Sequence, residues 1–484
     1  MGIPFWTKKQ KGLRTSQPFL KSAPVDPKGQ RLIGFTSTSR EPIWAPLTHS
    51  LLLSANGGGK TTRGLMPWLF SLLASTSRPA ILMLDSKQGE IAAQCCPMLE
   101  KLGVPTAVID ESRVLPPEVY GRMPLNPLES LVWTHRHAPE DQVFANDLVT
   151  QTLIEEPSGG IDRNLYWRQS PRAILEFAIY ALLKRSPELA TPGGVWTLIS
   201  STRTLRAVAE VELEEGEGIL KALAEEVLDM LGHEHGPQHL QAARQATRLF
   251  AAGTRLHMAG HGAKRGHGDL IRGKRVIFLC GDQSTMQSMG SFYGLHLMSF
   301  LRAAYMGAGP LWIGADEFSN APTKRLAEML TTLRAYGTSV AMVAQSRSEI
   351  ERKLGKNELF TIEEQAVLKQ WFGFSSFEEA ERVSKAMGEE HAVGATLGGN
   401  SHDMRVQTNI NLFKQPIRTA AELMAMPRNR FLGHVKGLGF FEADTVSQAN
   451  IAPYCDLCAD NPLEGGRLPA DPWITLTLPE EARS

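Results

Sequence analysis

An excess of charge of either sign is what this 484-residue chain most plainly lacks: 51 lysines and arginines stand against 51 aspartates and glutamates. A surface coated throughout in basic residues is thereby excluded, and any contact with nucleic acid has to be local. Long apolar runs are also missing. The hydrophobic stretches are broken by proline, glycine or charge well short of the roughly 20 residues that cross a bilayer, so no transmembrane segment is expected. Cysteine is scarce, five residues without an evident pairing framework, which fits a reducing compartment and argues against structural disulfides. The N-terminus has neither the apolar stretch nor the small-residue cleavage site of a signal peptide. Lys8, Lys9, Lys11, Arg14 and Lys21 precede the first acid, Asp26, so residues 1–30 read as a basic arm. It is either solvated or in contact with nucleic acid or an anionic membrane surface.

What remains is the composition of a folded soluble protein, 42% apolar and 21% charged. The chain is longer than one hydrophobic core usually serves. Leu51-Leu52-Leu53 is a short strand-like run followed by Ser54-Ala55-Asn56-Gly57-Gly58-Gly59-Lys60-Thr61-Thr62, and Leu65, Leu69, Leu72 and Leu73 then recur at helical spacing. Ala80–Leu84 form a second buried-strand run closed by Asp85, and Val276–Cys280, Leu311–Ala315 and Ser339–Ala344 supply three more. Strands alternating with helices imply an α/β fold with a mostly parallel central sheet, whose ligands gather at the carboxyl ends of the strands.

The glycine-rich segment sits where phosphate chemistry requires it, after a strand and before a helix. Glycines lack a Cβ, so successive N–H groups can turn inward on phosphate oxygens while the following helix directs its positive end at the same point. In this P-loop reading Lys60 adds a mobile positive charge and the Thr61 hydroxyl ligates Mg²⁺. Ser54 occupies the position where G-x-x-x-x-G-K-T has its first glycine. Leu311–Ala315 ends in Asp316-Glu317: Asp316 is the candidate for the Mg²⁺ shell and Glu317 for polarising the attacking water. Gln345, just after the strand at 339–344, is a neutral side chain suited to sensing a γ-phosphate. Arg334 is a candidate arginine finger acting on a neighbouring subunit, or else a surface salt-bridge residue. Asp85 either orients water or magnesium or caps the next helix. The ligand set implied is ATP with Mg²⁺.

Between the early and late strands the chain reads as helices from about 184 to 267. Glu210, Glu212, Glu214, Glu215, Glu217, Glu225, Glu226 and Asp229 come first, then Arg244, Arg248, Arg255, Lys264 and Arg265. These are two solvated faces or, in the functional reading, a basic lip facing DNA. The expected organisation is the arm at 1–30, a discontinuous nucleotide-binding domain at 31–183 and 268–450, an all-α insertion at 184–267, and a tail at 451–484. Cys455 and Cys458 form a single C-x₂-C, short of the four ligands of a structural zinc site.

The ordered motifs resemble the type IV coupling proteins of conjugation and type IV secretion, the TraG/TrwB type, over about residues 30–450. The resemblance runs through Ile33-Gly34, Glu41-Pro42-Ile43, the P-loop, Pro67, an Asp-Pro-Lys-Gly-Glu-like segment at Asp85–Glu90, Asn126–Leu128 and Trp167. After the helical stretch it resumes at Asp316-Glu317-Phe318, Arg334, Tyr336-Gly337, Gln345-Ser346 and Ser384–Glu389. It implies a RecA-like P-loop ATPase with an inserted all-α domain, assembled as a homo-hexamer with ATP sites between subunits. The implied partners are single-stranded DNA with its relaxase and the inner-membrane components of a type IV secretion system, at a cytoplasmic location peripheral to the membrane. Three departures are Ser54, one extra residue in Asp85–Glu90, and no membrane anchor ahead of the fold. Rival readings are another RecA-like DNA translocase and a non-catalytic adaptor that recruits protein substrates.

Overall fold

The computed structural model describes residues 29–55, 57–154, 165–282, 289–320, 324–399, 406–463, 465–466 and 468–482, so Asn56 and the basic arm up to residue 28 lie outside the described residues. Its frame is one eleven-stranded sheet. The strands are β1 (Gln30–Phe35), β2 (Pro42–Pro46), β3 (Ser50–Leu53), β4 (Ala80–Asp85), β5 (Thr106–Ile109), β6 (Val276–Cys280), β7 (Leu311–Ala315), β8 (Thr338–Ala344) and β9 (Leu368–Trp371). A hairpin, β10 (Glu389–Gly399) and β11 (Val406–Pro416), forms its own two-stranded sheet among the described residues, and β12 (Arg430–Val435) and β13 (Gly439–Asp444) return to the large sheet.

The order is β2-β1-β13-β12-β9-β3-β8-β7-β4-β6-β5. From β9 to β5 every pairing is parallel, whereas β12, β13, β1 and β2 extend the sheet antiparallel. The five strands expected from apolar runs are β3, β4, β6, β7 and β8, each buried along its whole length. Parallel strands covered on both faces read as continuous hydrophobic runs, which is why these were visible. Alternate residues feed two cores: Leu51, Leu53, Leu82, Leu84 and Ile313 face one, while Leu52, Ile81, Met83, Trp312 and Val343 face the other.

Helices α1 (Met66–Leu73) and α2 (Glu90–Lys101) follow β3 and β4. Between β5 and β6 run α3 (Glu129–His137), α4 (Gln142–Leu153), α5 (Leu165–Arg185), α6 (Pro192–Ser200), α7 (Thr202–Glu215), α8 (Gly218–Gly232), α9 (Gly236–Thr247) and α10 (His267–Arg272). Helix α5 packs on α6, α8 and α9, and α7 on α8. Of the acidic group on α7 and α8, Glu212 alone is buried, paired with Lys184 and Arg185 from α5, while the others face solvent. After β6 comes α11 (Gly290–Tyr305). No helix among the described residues is long and apolar enough to cross a membrane.

The C-terminal stretch packs onto the sheet's second core: Tyr454 stacks on Phe70 at 5.1 Å, and the Cys458 thiol lies 3.7 Å from the Met98 sulfur. Cys95 and Cys96 are buried beside it. No group of three or more potential metal ligands occurs among the described residues.

Candidate nucleotide site

The strands β3, β8, β7 and β4 are consecutive neighbours and run the same way, so their carboxyl ends lie side by side. Those ends carry, in that order, the glycine-rich loop, Gln345, Asp316-Glu317 and Asp85. Four segments separated by as much as 290 residues of chain thus share one edge because the sheet is parallel.

The loop leaves β3 at Ser54, whose N–H donates to the Ala344 carbonyl at 3.1 Å. Ser54 is fully buried, its hydroxyl facing the carbonyls of Ala55 and Phe372 at 3.3 and 3.4 Å. This side chain fills the space beside Gly58, where an added Cβ would come 2.1 Å from Ser54 Oγ. Gly57 and Gly59 take φ of 72° and 84°, a left-handed conformation that side chains resist. Lys60–Leu65 then wind as one wide π-helical turn into α1, a departure from α geometry that recurs at functional sites. Lys60, Thr61 and Thr62 are all buried.

Lys60 Nζ is ion-paired with Glu317 Oε1, and Gln345 Nε2 donates to the same oxygen at 3.2 Å. Glu317 has φ of 48°, a strained setting for a non-glycine residue at the end of a strand. Its Oε2 and both carboxylate oxygens of Asp316 are buried without a hydrogen-bond partner among the described residues. Buried acceptors left in this state call for a cation or water. The backbone N–H of Asp316 donates to Leu84 O at 3.2 Å, fixing the acids against β4. Lys87 Nζ approaches Asp316 Oδ2 to 3.6 Å.

Asp85 accepts hydrogen bonds from the N–H groups of Ile91 and Ala92, both 2.8 Å, at the start of α2. Burial, reinforced by the nearby charge of Asp316, pushes its carboxyl up to about 8. A void of about 10 Å³ lies between Asp85, Ser86, Tyr293, Asp316 and Glu317, the size of one water.

The structure brings together Ser54, Gly57, Gly58, Gly59, Lys60, Thr61, Asp316, Glu317 and Gln345. It does not bring Arg334 with them: that residue is exposed in the turn before β8, and a seven-residue strand puts it about 23 Å from Gln345 at the opposite edge. Lys87 was not among the expected site residues. The signal was present, a lysine two residues beyond a strand-ending acid, yet its contact with Asp316 depends on β4 and β7 being neighbours.

Fold and site together define a RecA-like P-loop fold. Residues 310–428 match the family model described as the TraM recognition site of TraD and TraG. The bacterial conjugative coupling protein TrwBdeltaN70, in its unbound form, shares the fold at 15% identity with a TM-score of 0.61, over 90% of this chain and 96% of that one. TrwB in complex with the non-hydrolysable ATP analogue ADPNP is similar over 89% and 97%, at 15% identity and TM-score 0.57. VirB4 of Thermoanaerobacter pseudethanolicus is similar over 90% and 99%, at 12% identity and TM-score 0.51. No curated protein sequence matches. The resemblance to the TraG/TrwB type IV coupling proteins is thus borne out, in sequence over residues 310–428 and in fold over nearly the whole chain.

Proposed function

We propose that the chain is an ATP-hydrolysing coupling protein that moves DNA or nucleoprotein into a conjugation or type IV secretion channel. The observation carrying this is the convergence of Lys60, Gln345 and the under-coordinated acids Asp316 and Glu317 beside the glycine-rich loop. TrwB structures contain ATP and GTP analogues, or ADP with Mg²⁺, in this fold. The residues here fit that group: Thr61 and Asp316 would hold the metal, and Gly57, Gly58, Gly59, Lys60 and Thr62 the phosphates. Magnesium held there would supply positive charge that offsets the charge of the phosphates. Lys60 then leaves Glu317 for phosphate, which frees the Glu317 carboxylate to accept a proton from water aligned on the γ-phosphate. Gln345, released from the same oxygen, senses that phosphate.

In this reading residues 31–183 and 268–450 form the motor, 184–267 its helical insertion and 451–484 its tail. DNA contacts the basic side of the insertion: Arg248 and Arg255, with the acid Asp282 and the apolar Leu153, Leu249, Leu256 and Met289, line a cleft of about 700 Å³ where phosphate can meet guanidinium and a base can meet apolar surface. The assembly is a homo-hexamer, in the cytoplasm and peripheral to the membrane, with a relaxase and secretion-system inner-membrane components as partners. The test is ATP turnover of the purified chain with and without single-stranded DNA. Wild type should hydrolyse ATP faster with DNA, Lys60→Ala should lose turnover with its fold intact, and Glu317→Gln should bind ATP and stall. A folded wild type without turnover leaves the non-catalytic adaptor.

A further inference from the structure

The turn after β4 is pinned on both sides of Lys87. Ser86 Oγ donates to the Asp316 carbonyl at 3.3 Å, the Gln88 N–H to Gly281 O at 2.8 Å, and the Glu90 N–H to Lys87 O at 3.0 Å. Gln88 and Gly89 are consecutive left-handed residues, with φ of 53° and 67°. Gln88 lies where this segment has one residue more than Asp-Pro-Lys-Gly-Glu, so the extra residue is accommodated by a strained turn that leaves Lys87 facing β7. The Lys87 side chain keeps 23% of its surface exposed while its ammonium rests on an acid that is 1% exposed.

Two lysines therefore meet two adjacent acids, Lys60 on Glu317 and Lys87 on Asp316. The first contact is tight and buried. The second, at 3.6 Å, is an ion pair longer than a hydrogen bond, made by a lysine that keeps part of its surface exposed. A divalent cation on Asp316 competes with the Lys87 ammonium for that carboxylate, because two cations so close in a buried site repel. Magnesium arriving with nucleotide therefore loosens the hold of Asp316 on Lys87, and the ammonium is then drawn by the incoming terminal phosphate as well as by Glu317 and Glu90.

We propose that Lys87 is a second phosphate-reading lysine: it holds Asp316 while the site is empty and passes to the terminal phosphate of a bound nucleoside triphosphate. The exchange rests on the nucleotide reading above. It makes the turn Asp85–Glu90, and α2 behind it, sense whether a γ-phosphate is present. Lys87 is a positioning residue for Asp316 in the empty state and a ligand-binding residue in the loaded one.

The experiment is a titration of the full-length chain with fluorescent ADP and with a fluorescent non-hydrolysable ATP analogue, at fixed and at varied Mg²⁺. Lys87→Met should weaken the triphosphate about tenfold, the scale of one charge-assisted hydrogen bond, and leave ADP within about twofold. It should also lower the Mg²⁺ needed for half-saturation, since Asp316 no longer has a competing cation. Lys87→Arg should recover part of the triphosphate preference, and Lys87→Gln serves where the methionine variant does not fold. Equal weakening of both nucleotides, or none in either, overturns the role of Lys87 while nucleotide binding stands. A folded wild type that binds neither nucleotide overturns the reading of the site and the lysine's role with it.

Discussion

At the scale of single residues the site is a set of ion pairs, each holding a lysine that the phosphates of a nucleotide would claim. Away from it, His49 gives a cleaner measurement. Its Nδ1 accepts the Val340 N–H at 3.1 Å, so the ring is neutral in the folded chain. Burial first, and then the charge of Arg334, push its pKa down to about 4 from the ordinary 6.5. A histidine with a depressed folded-state pKa favours folding above about pH 6.5, and that contribution drains away as pH falls to about 4, because the unfolded chain takes up the proton first. The shift corresponds to on the order of 3 kcal/mol. His49→Asn, which offers Val340 a neutral acceptor, should flatten this part of the stability curve when denaturant midpoints are compared between pH 7 and pH 4.5. An unchanged acid loss in the variant would show that the imidazole does not titrate as described. The fully buried His296, also depressed by burial, contributes in the same direction and remains in the variant.

At the scale of elements, the glycine-rich loop is specified by a pair of residues. Ser54 occupies the volume that a Gly58 side chain would need, and the carbonyls of Ala55 and Phe372 stand 3.0 Å from the same point. Gly58→Ala should therefore disturb the loop and weaken nucleotide at least about tenfold, with a stability loss of about 1–3 kcal/mol typical of overpacking. Adding Ser54→Gly removes the 2.1 Å obstacle and should restore part of the affinity; a double variant no better than the single one would mean that the backbone carbonyls set the limit. Much of this was legible. Leu51–Leu53, the glycines and Lys60 announce themselves locally, and Leu311–Ala315 followed by two acids does so because parallel core strands are uniformly apolar. The antiparallel flank was not: β1, β2, β12 and β13 mix polar with apolar residues, and β1 meets β13 across some 400 residues of chain, a pairing that no local pattern encodes. Lys87 was invisible for the same reason, as was the burial of Glu212 within an otherwise exposed acidic series. Sequence reports a residue's type and local period, whereas partnership is a property of topology.

At the scale of the whole molecule the open question is what completes the site. Arg334 is exposed at the amino edge of the sheet, about 23 Å along β8 from Gln345, too far to reach phosphate held by its own P-loop. If it acts as an arginine finger it does so on a neighbour, across a head-to-tail interface that closes into a ring. Turnover per subunit should then rise with protein concentration, and DNA threaded through the ring should strengthen the rise by favouring closure. Added salt should weaken the DNA effect as phosphate contacts are screened. The discriminating experiment mixes Arg334→Ala subunits with Lys60→Ala subunits, each inactive alone. An interface formed by the P-loop of the first and the arginine of the second is intact, so random mixing should recover at most about a quarter of wild-type turnover in a head-to-tail ring. An arginine acting only within its own subunit permits no recovery at any ratio. Native mass measurements must show that the rings contain both variants; mixed rings that stay inactive would return Arg334 to the surface, a cation whose charge helps to keep His49 neutral.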